Sequence, residues 1–368
     1  MEIIGHRLDN PRRLYSFGEL LLLPGYATMS PREVDTSVVL DGIKLGNPFV
    51  SSPMDTVTES DLAIELALNG GFGVIHRNCT VEQAVEMVEK VKKFRIPEGG
   101  EKAVKDARGR LAVGAAISPL DVDRAVALAD KCDLLFTDVA SFHNAKLIEG
   151  TKKVVKATGR KIVIGNLGTA EGVLHSIKEI GKENIAAVKM GMGGGSICIT
   201  SDVSGVGSPC SFGVEQAALA LRELDLLDQI PIIADGGIRH SRDIAFSLGL
   251  GASLVMLGNL FARCEESPGE KIMKDGKPYK VYWGMGSAEA RKKRLVLDRY
   301  QDFGKGKKVD EGIKMHIPLE GKVSDVVERL SAELRVTMGY IGARNIREMK
   351  EVAQIVVKTA AEEKAGVK

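Results

Sequence analysis

A glycine-rich segment holds the residues with the clearest potential for chemistry. Residues 189–210 read KMGMGGGSICITSDVSGVGSPC, and three consecutive glycines, Gly193 to Gly195, come just before Ser196 and Cys198. Consecutive glycines permit positive φ and let backbone N–H and C=O groups face a ligand. Ser196 can donate to a phosphate, and Cys198 can act as a nucleophile where a neighbour favours its thiolate. The alternative is an inert cysteine buried in a turn, because free thiols usually serve packing.

Two further glycine motifs indicate a phosphate site. Asp235-Gly236-Gly237 follows one apolar run, and Gly258-Asn259 follows the next. Glycines let backbone amides approach an anion closely, and a carboxylate such as Asp235 can hold a ribose diol. Two ordinary turns at strand ends are the alternative interpretation.

A third group of polar residues lies nearer the C-terminus, in a segment rich in Gly and Lys. Residues 298–301 read DRYQ, and Glu311 follows. An arginine such as Arg299, held beside Tyr300, can polarise water if both are desolvated. A solvated run of charges is the alternative, and the residues alone favour it.

The elements that position these residues follow a regular alternation from about residue 46. Strands are predicted at 47–52, 71–76, 111–117, 134–138, 161–165, 186–190, 231–235 and 253–257. Helices are predicted at 59–69, 80–93, 119–131, 143–158, 169–181, 213–226 and 240–249, with a short one from 258. Strands that are apolar almost throughout are buried on both faces, as in a parallel sheet. Eight such units predict a (β/α)₈ barrel rather than an open doubly wound sheet.

The barrel also predicts where chemistry lies, because active sites of this fold use the loops at the carboxyl ends of the strands. The glycine-rich segment and the two further glycine motifs follow such strand ends, whereas Arg299, Tyr300 and Glu311 lie in the segment after the last strand. Residues 1–45 are predicted to close the barrel floor, 279–321 to form a lid, and 322–365 to form two helices separated by the MGYIGA turn. We therefore expect one catalytic domain over residues 1–368.

Composition excludes several classes of function. Lys+Arg number 51 against 49 Asp+Glu, a net charge of +2, so we expect neither nucleic acid nor a membrane surface as a partner. The five cysteines form no CxxC pair, which argues against a disulfide framework or zinc cluster and favours the cytoplasm. His76 and His143 lack metal-binding spacing. The sequence has no apolar run of membrane-spanning length, and because its first residues lack an apolar core we do not expect a signal peptide there.

Ten motifs, in order along nearly the whole chain, make the sequence similar to one family. They are SSPMDTVTE (51–59), GGFGVIHRN (70–78), GRLAVGAAIS (109–118), GMGGGSICIT (191–200), IIADGGIRHSRDI (232–244), VMLGNL (255–260), YWGMGS (282–287), DRYQ (298–301), DEGI (310–313) and MGYIGARNI (338–346). The chain resembles the superfamily of inosine-5′-monophosphate (IMP) dehydrogenase and guanosine-5′-monophosphate (GMP) reductase.

In the dehydrogenase, the resemblance implies that Cys198 attacks C2 of IMP and that hydride leaves C2 for NAD⁺. The lid then closes, and water activated by Arg299 beside Tyr300 releases xanthosine monophosphate (XMP). Glu311 would face the purine, and Asp138 would be a carboxylate on the cofactor side. The implied nucleotide-binding residues are Ser52, Met54, Asn166, Ser196, Asp235, Gly236, Gly237, Gly258, Asn259, Tyr282, Gly284, Met285 and Gly286. Backbone carbonyls of Gly193, Gly195 and Cys198 would bind a monovalent cation, usually K⁺.

The reductase is the alternative within the family. There Cys198 would attack GMP, ammonia would leave, NADPH would deliver hydride, and Thr200 with Glu311 would activate the ammonia. The Arg299–Tyr300 pair and the EGI element favour the dehydrogenase.

Other features point towards the reductase or away from the dehydrogenase. The sequence Asp138-Val139-Ala140 resembles the reductase, and residues 93–110 are too few for the regulatory CBS domains of many dehydrogenases. Ser201 and Cys210 stand where arginine and glutamine are common in dehydrogenases.

A third alternative is a catalytically inactive relative that binds purine nucleotides. The intact Cys198, Thr200 and Arg299 argue against it, because a binding protein needs neither a nucleophile nor a group that activates water. The resemblance further implies a homotetramer.

Overall fold

A computed structural model describes residues 13–292 and 309–359 of the protein. The strands are β1 Leu20–Leu22, β2 Val38–Leu40, β3 Ile43–Leu45, β4 Phe49–Ser51, β5 Gly73–Ile75, β6 Val113–Ile117, β7 Leu134–Thr137, β8 Ile162–Leu167, β9 Ile185–Met190, β10 Ile232–Asp235, β11 Leu254–Leu257, β12 Lys271–Lys274, β13 Lys277–Trp283, β14 Lys314–Pro318 and β15 Ile355–Val357. The α-helices are α1 Ser60–Leu68, α2 Val81–Lys93, α3 Val122–Ala129, α4 Ala145–Thr158, α5 Ala170–Ile180, α6 Thr200–Ser204, α7 Cys210–Glu223, α8 Ser241–Gly249, α9 Asn259–Ala262, α10 Ala288–Arg291, α11 Val323–Ile341 and α12 Ile346–Val352.

Strands β4 to β11 form the predicted barrel. They pair in parallel in the order β4-β11-β10-β9-β8-β7-β6-β5. The ring closes between β4 and β5, where Phe72 N–H donates to Phe49 O at 2.9 Å and Ser51 N–H donates to Phe72 O at 3.0 Å. All eight predicted strands are present, and helices follow them as the alternation predicts. The (β/α)₈ prediction is confirmed.

Local sequence sets the helix boundaries around the barrel. At the start of α2, Thr80 and Gln83 form a reciprocal capping box, which satisfies two backbone N–H groups that the helix leaves without partners. Gly159 ends α4 at φ +63°, a left-handed conformation that costs glycine little.

Of residues 1–45, predicted to close the barrel floor, the β2–β3 hairpin lies there, whereas β1 pairs with β15 and residues 1–12 lie outside the described residues. Strands β2 and β3 form an antiparallel hairpin. Its Leu40 and Leu45 are fully buried in one apolar cluster with barrel residues that include Phe72 and Phe136. In the last turn of α2, Lys92 is buried against two carboxylates, those of Asp106 and Asp133, at 3.0 and 2.5 Å. No CBS-like domain lies in the part of the chain that the structure describes.

Two predicted regions differ from expectation. The two ends of the 279–321 segment, predicted as a lid, form β13 and β14, which pair with each other and, through β13, with β12 in a three-stranded sheet. In the tail, α11 includes MGYI and ends at Gly342, with φ +80°. After α12 the chain forms β15, which pairs with β1, instead of a second helix reaching residue 365. The backbone pairing of the two ends of the described chain outweighs local helix propensity there.

Across the described residues, we found no helix with both the length and the apolar character of a membrane span.

Candidate active site

A cavity opens at the carboxyl ends of the barrel strands, where the fold predicts it. Most of the candidate residues line it. These are Ser52, Met54, Asn166, Gly193, Gly195, Ser196, Cys198, Thr200, Asp235, Gly236, Gly237, Gly258, Asn259, Tyr282, Gly284, Met285 and Glu311. They come from the carboxyl ends of five barrel strands with the loops that follow, and from the segment after β12, so residues far apart in the sequence converge on one cavity.

Glycines are required where the loops after β9 and β10 touch. Gly191 has φ +120°, and a Cβ on it would lie 2.1 Å from the carbonyl oxygen of Asp235. Gly237 has φ +77°, and a Cβ there would lie 3.1 Å from the Gly194 oxygen. The two backbones can therefore approach closely enough to form one wall of the cavity only without side chains at these positions.

Cys198 differs from the other cysteines in its exposure. All five are free thiols, four of them buried, and Cys198 alone is partly exposed. Burial raises the pKa of Cys132 and of Cys264 to about 12. The Cys198 sulfur lies 3.3 Å from the Thr200 hydroxyl oxygen. Cys198 is therefore the thiol placed to react with a ligand in the cavity.

The cysteine loop is held by a short stretch of strand-like pairing. Ile199 N–H donates to Glu311 O, and Ile313 N–H donates to Ile197 O, both at 3.0 Å. Cys198 lies opposite Gly312 in this pairing. The same contacts place Glu311 at the cavity wall beside the thiol.

A buried lysine that sequence analysis missed holds Asp235 and Asn166 at the cavity wall. The Lys189 side chain is 1% exposed, and its Nζ lies 3.1 Å from Asp235 Oδ2 and also donates to Asn166 Oδ1. Asn166 Nδ2 in turn donates to Asp235 Oδ2 at 2.8 Å and to Gly191 O at 2.7 Å. Asp235 keeps 20% of its side chain exposed, towards the cavity it lines. The sequence signal was a lone lysine in the apolar strand IAAVKM.

Hydroxyls and an amide gather at a second part of the cavity. Asn259 Nδ2 donates to Ser196 Oγ at 3.2 Å, and Arg263 Nε donates to Asn259 Oδ1 at 2.9 Å. Burial raises the pKa of the Tyr282 phenol, although its hydrogen bond with Ser196 opposes this shift. The Tyr282 hydroxyl therefore stays neutral. A Cβ on Gly258 would lie 3.0 Å from Tyr282 Oη. These neutral donors beside a glycine suit a phosphate. Sequence analysis did not single out Arg263.

Two predicted residues do not line the cavity. Asp138 is fully buried, with its Oδ2 3.4 Å from Arg77 Nε, while its carbonyl accepts from the Arg77 guanidinium at 2.9 and 3.1 Å. Its neighbours Val139 and Ala140 line the cavity instead. Gly286 accepts from Glu311 N–H at 3.1 Å, just behind the wall. Arg299 and Tyr300 lie outside the described residues.

The glycine loop offers carbonyl oxygens that could hold a monovalent cation. The Gly195 oxygen accepts Cys198 N–H at 3.1 Å and keeps a second lone pair. Those of Gly193 and Cys198 accept none of the backbone hydrogen bonds found within 13–292 and 309–359. This donor set is compatible with a cation that prefers neutral oxygens. In the same residues, no group of three or more His, Cys, Asp or Glu side chains is arranged to hold a metal ion.

Comparison with known proteins places these features in a family context. The IMP dehydrogenase / GMP reductase domain family matches residues 14–367. The inosine-5′-monophosphate dehydrogenase of Korarchaeum cryptofilum (strain OPF8) is 33% identical, covering 95% of this chain and 95% of the relative. That of Aquifex aeolicus (strain VF5) is 36% identical, covering 93% and 92%. That of Cryptosporidium parvum is 36% identical, covering 91% and 89%.

The alignments also bear on the absent regulatory domains. The Korarchaeum alignment spans 460 positions, whereas 95% of the 368-residue chain is about 350 residues, so about 110 positions face gaps in this chain. The Cryptosporidium alignment spans 366 positions for about 335 residues, which leaves about 30. Relatives named as dehydrogenases thus occur with and without a large additional stretch, and its absence does not favour the reductase.

Proposed function

Because the chain belongs to the IMP dehydrogenase / GMP reductase family, we propose that it oxidises IMP to XMP with NAD⁺, a step of guanine nucleotide biosynthesis. The observation that carries the proposal is Cys198, a partly exposed thiol 3.3 Å from the Thr200 hydroxyl in a cavity at the carboxyl face of the barrel. A nucleophile beside a hydroxyl suits covalent attack on a bound ligand.

The cavity provides complementary groups for a purine nucleotide. The Ser196 and Tyr282 hydroxyls and the backbone near Gly237 and Gly258 suit the phosphate. Asp235, held by Lys189 and Asn166, can accept hydrogen bonds from the ribose diol. This arrangement would leave the purine over Cys198, with Met54 and Glu311 on the cavity wall.

We propose that the Cys198 thiolate bonds to C2 of IMP. When bound, NAD⁺ accepts the hydride that leaves C2, so the purine is oxidised by two electrons. Water then adds to C2 of the adduct, the C–S bond breaks, and the thiol returns as XMP leaves. The balanced reaction is IMP + NAD⁺ + H₂O → XMP + NADH + H⁺.

The remaining roles rest on the family resemblance. We propose that Arg299 with Tyr300 activates the water, and that part of residues 279–321 acts as a lid within a single catalytic domain. A guanidinium is almost always protonated in water, so this role requires a closed, desolvated site. Asp138, buried against Arg77, would act on the cofactor side through its neighbours Val139 and Ala140.

We further propose K⁺ at the carbonyls of Gly193, Gly195 and Cys198, a homotetramer and a cytoplasmic location. K⁺ is supported by the available carbonyl oxygens of the glycine loop, and the location by five free cysteines. The tetramer rests on the resemblance alone.

Product analysis separates the three candidate functions. The purified chain is incubated with IMP and NAD⁺, and separately with GMP and NADPH, and the nucleotides are resolved by chromatography. We expect XMP and NADH in equal amounts from the first mixture. IMP and ammonia from the second mixture alone would establish the reductase, and nucleotide binding without turnover in either would establish the inactive relative.

A further inference from the structure

A buried carboxylate next to the active site contacts two separate segments. Asp55, 6% exposed, accepts a hydrogen bond on Oδ1 from Trp283 Nε1 at 2.9 Å. Its Oδ2 accepts from Asn78 Nδ2 at 2.8 Å. Asn78, fully buried, also donates to Ala290 O at 3.1 Å. Each carboxylate oxygen of Asp55 therefore has a partner on a different segment.

The segments that meet at Asp55 have different origins. Asp55 lies in the loop after β4, Asn78 in the loop after β5, and Trp283 at the end of β13. Ala290 belongs to α10, which directly precedes the undescribed residues of 279–321. The contacts therefore join two loops of the barrel to the segment that is expected to carry the lid.

Asp55 and Trp283 each lie next in sequence to residues that line the cavity. Met54, which precedes Asp55, lines the cavity. Tyr282 and Gly284, on either side of Trp283, line it too. A displacement of the backbone at Trp283 would move Tyr282 and Gly284 with it, and the Gly284 N–H donates to Ile313 O at 3.0 Å in the pairing that holds the Cys198 loop.

We propose that Asp55 is a positioning residue for the reaction: by holding Trp283 and Asn78 it docks residues 282–290 against the barrel and sets the geometry of the nucleotide site. Asp55 acts through Tyr282 and the Cys198 loop and does not touch the reacting atoms. This inference rests on the proposed function for its kinetic consequence, but the docking itself can be measured without substrate.

Trp283 makes the docking directly observable, because it is the only tryptophan in the chain. Its emission and its quenching by acrylamide are compared in the wild type, in Asp55→Ala and in Asp55→Asn without nucleotide. We expect Asp55→Ala to shift the emission to longer wavelength and to raise the quenching constant at least twofold. Asp55→Asn keeps one acceptor oxygen and is expected to be intermediate. Asp106→Asn, at the barrel floor, is the control and should leave both values unchanged.

The kinetic arm uses a cycle of Asp55→Ala, Trp283→Phe and the double variant. If the two side chains act as one unit, each single change raises KM for IMP several-fold, and the double variant is no worse than the poorer single variant. If Asp55→Ala fails to fold, Asp55→Asn replaces it in the cycle. Trp283→Phe is retained in both cycles because it keeps an aromatic ring.

The experiments distinguish a failure of the positioning role from a failure of the proposed function. Unchanged emission and quenching in Asp55→Ala, or additive effects on KM, would overturn the positioning role. Absence of IMP oxidation in the wild type would instead refute the proposed function, while the fluorescence comparison would still decide whether Asp55 docks the segment.

Discussion

Two buried lysines, one at each end of the barrel, have similar surroundings and different consequences. At the floor, Lys92 contacts the carboxylates of Asp106 and Asp133 and also donates to Leu111 O at 3.0 Å. At the mouth, Lys189 contacts the carboxylate of Asp235 and the amide oxygen of Asn166. The side chains of Asp106 and Asp133 are 8% and 13% exposed, and that of Asp235 is 20% exposed on the cavity wall.

The difference in exposure to the cavity separates an ion pair that stabilises the fold from one that can take part in binding. The floor cluster, Lys92 with Asp106 and Asp133, has its carboxylates turned towards other protein groups. It helps to hold the α2–β6 connection in place. The mouth cluster fixes one carboxylate oxygen and leaves the rest of Asp235 facing the cavity. We therefore expect changes at the mouth to affect catalysis first and changes at the floor to affect folding first.

The largest expected effect is at the mouth. Cys198→Ala should lower turnover by about 10³-fold or more, because no other thiol of the described residues lines the cavity, while IMP still binds. Steady-state assays and calorimetric titration with IMP measure the two quantities. Cys210→Ala, a change at a buried thiol whose pKa is raised by burial, is the matched control and should keep most activity. Comparable losses in both variants would mean that the nucleophile assignment is wrong.

At the floor, Lys92→Met should lower the free energy of unfolding by about 3 kcal/mol, because it leaves the Asp133 carboxylate without its cation and the Asp106 carboxylate with Arg110 alone. Urea titration followed by circular dichroism measures this. The folded fraction of Lys92→Met should turn over at a near-normal rate. Lys189→Met is its counterpart and should lose activity much more than stability. The reverse pattern would contradict the division between mouth and floor.

Arg299→Ala should separate the two chemical steps. Hydride transfer precedes the proposed role of Arg299, so the burst of NADH should stay close to wild type. Steady-state turnover should fall by about 10²-fold, the range for a lost general base. Rapid mixing followed at the absorbance of NADH measures both phases. Equal loss of burst and steady state would show that Arg299 maintains the closed site instead of activating water.

Acid should weaken the floor through Asp106. Although burial opposes it, hydrogen bonds from Lys92 and Arg110 hold the pKa of Asp106 at about 2, below its usual value of 3.8. A lowered folded-state pKa stabilises the fold above about pH 4, and this contribution, on the order of 1–2 kcal/mol, is lost as pH falls from about 4 to 2. Free energies of unfolding from urea titrations across that range should depend less steeply on pH in Asp106→Asn than in the wild type. An unchanged pH dependence would argue against this linkage.

The smallest expected effect is the absence of a regulatory response. The connection between α2 and β6 is too short for a CBS-type module, since independently folding domains need at least about 50 residues. ATP or GTP should therefore not alter initial rates at saturating IMP and NAD⁺. Saturable modulation by either nucleotide that IMP does not compete away would contradict this expectation.

The sequence predicted the barrel well because its signals are local and repeated. Buried strands, amphipathic helices and strand-end glycines each follow from a few neighbouring residues, and the candidate site residues were found from them and from the family motifs. Residues that act through tertiary contacts were missed. Lys189 and Arg263 support Asp235 and Asn259 through contacts that no spacing rule encodes. Burial of Asp138 against Arg77, 61 positions away, is of the same kind.

The most direct test of the proposed chemistry is to trap the adduct. The wild type is mixed with IMP and NAD⁺, quenched in acid within the burst phase and digested, and the peptide that contains Cys198 is analysed by mass spectrometry. The account predicts a purine nucleotide on Cys198 that requires NAD⁺ to accumulate, is absent in Cys198→Ala and increases in Arg299→Ala. XMP formation at the normal rate with no modification of Cys198, or an adduct on another cysteine, would contradict it.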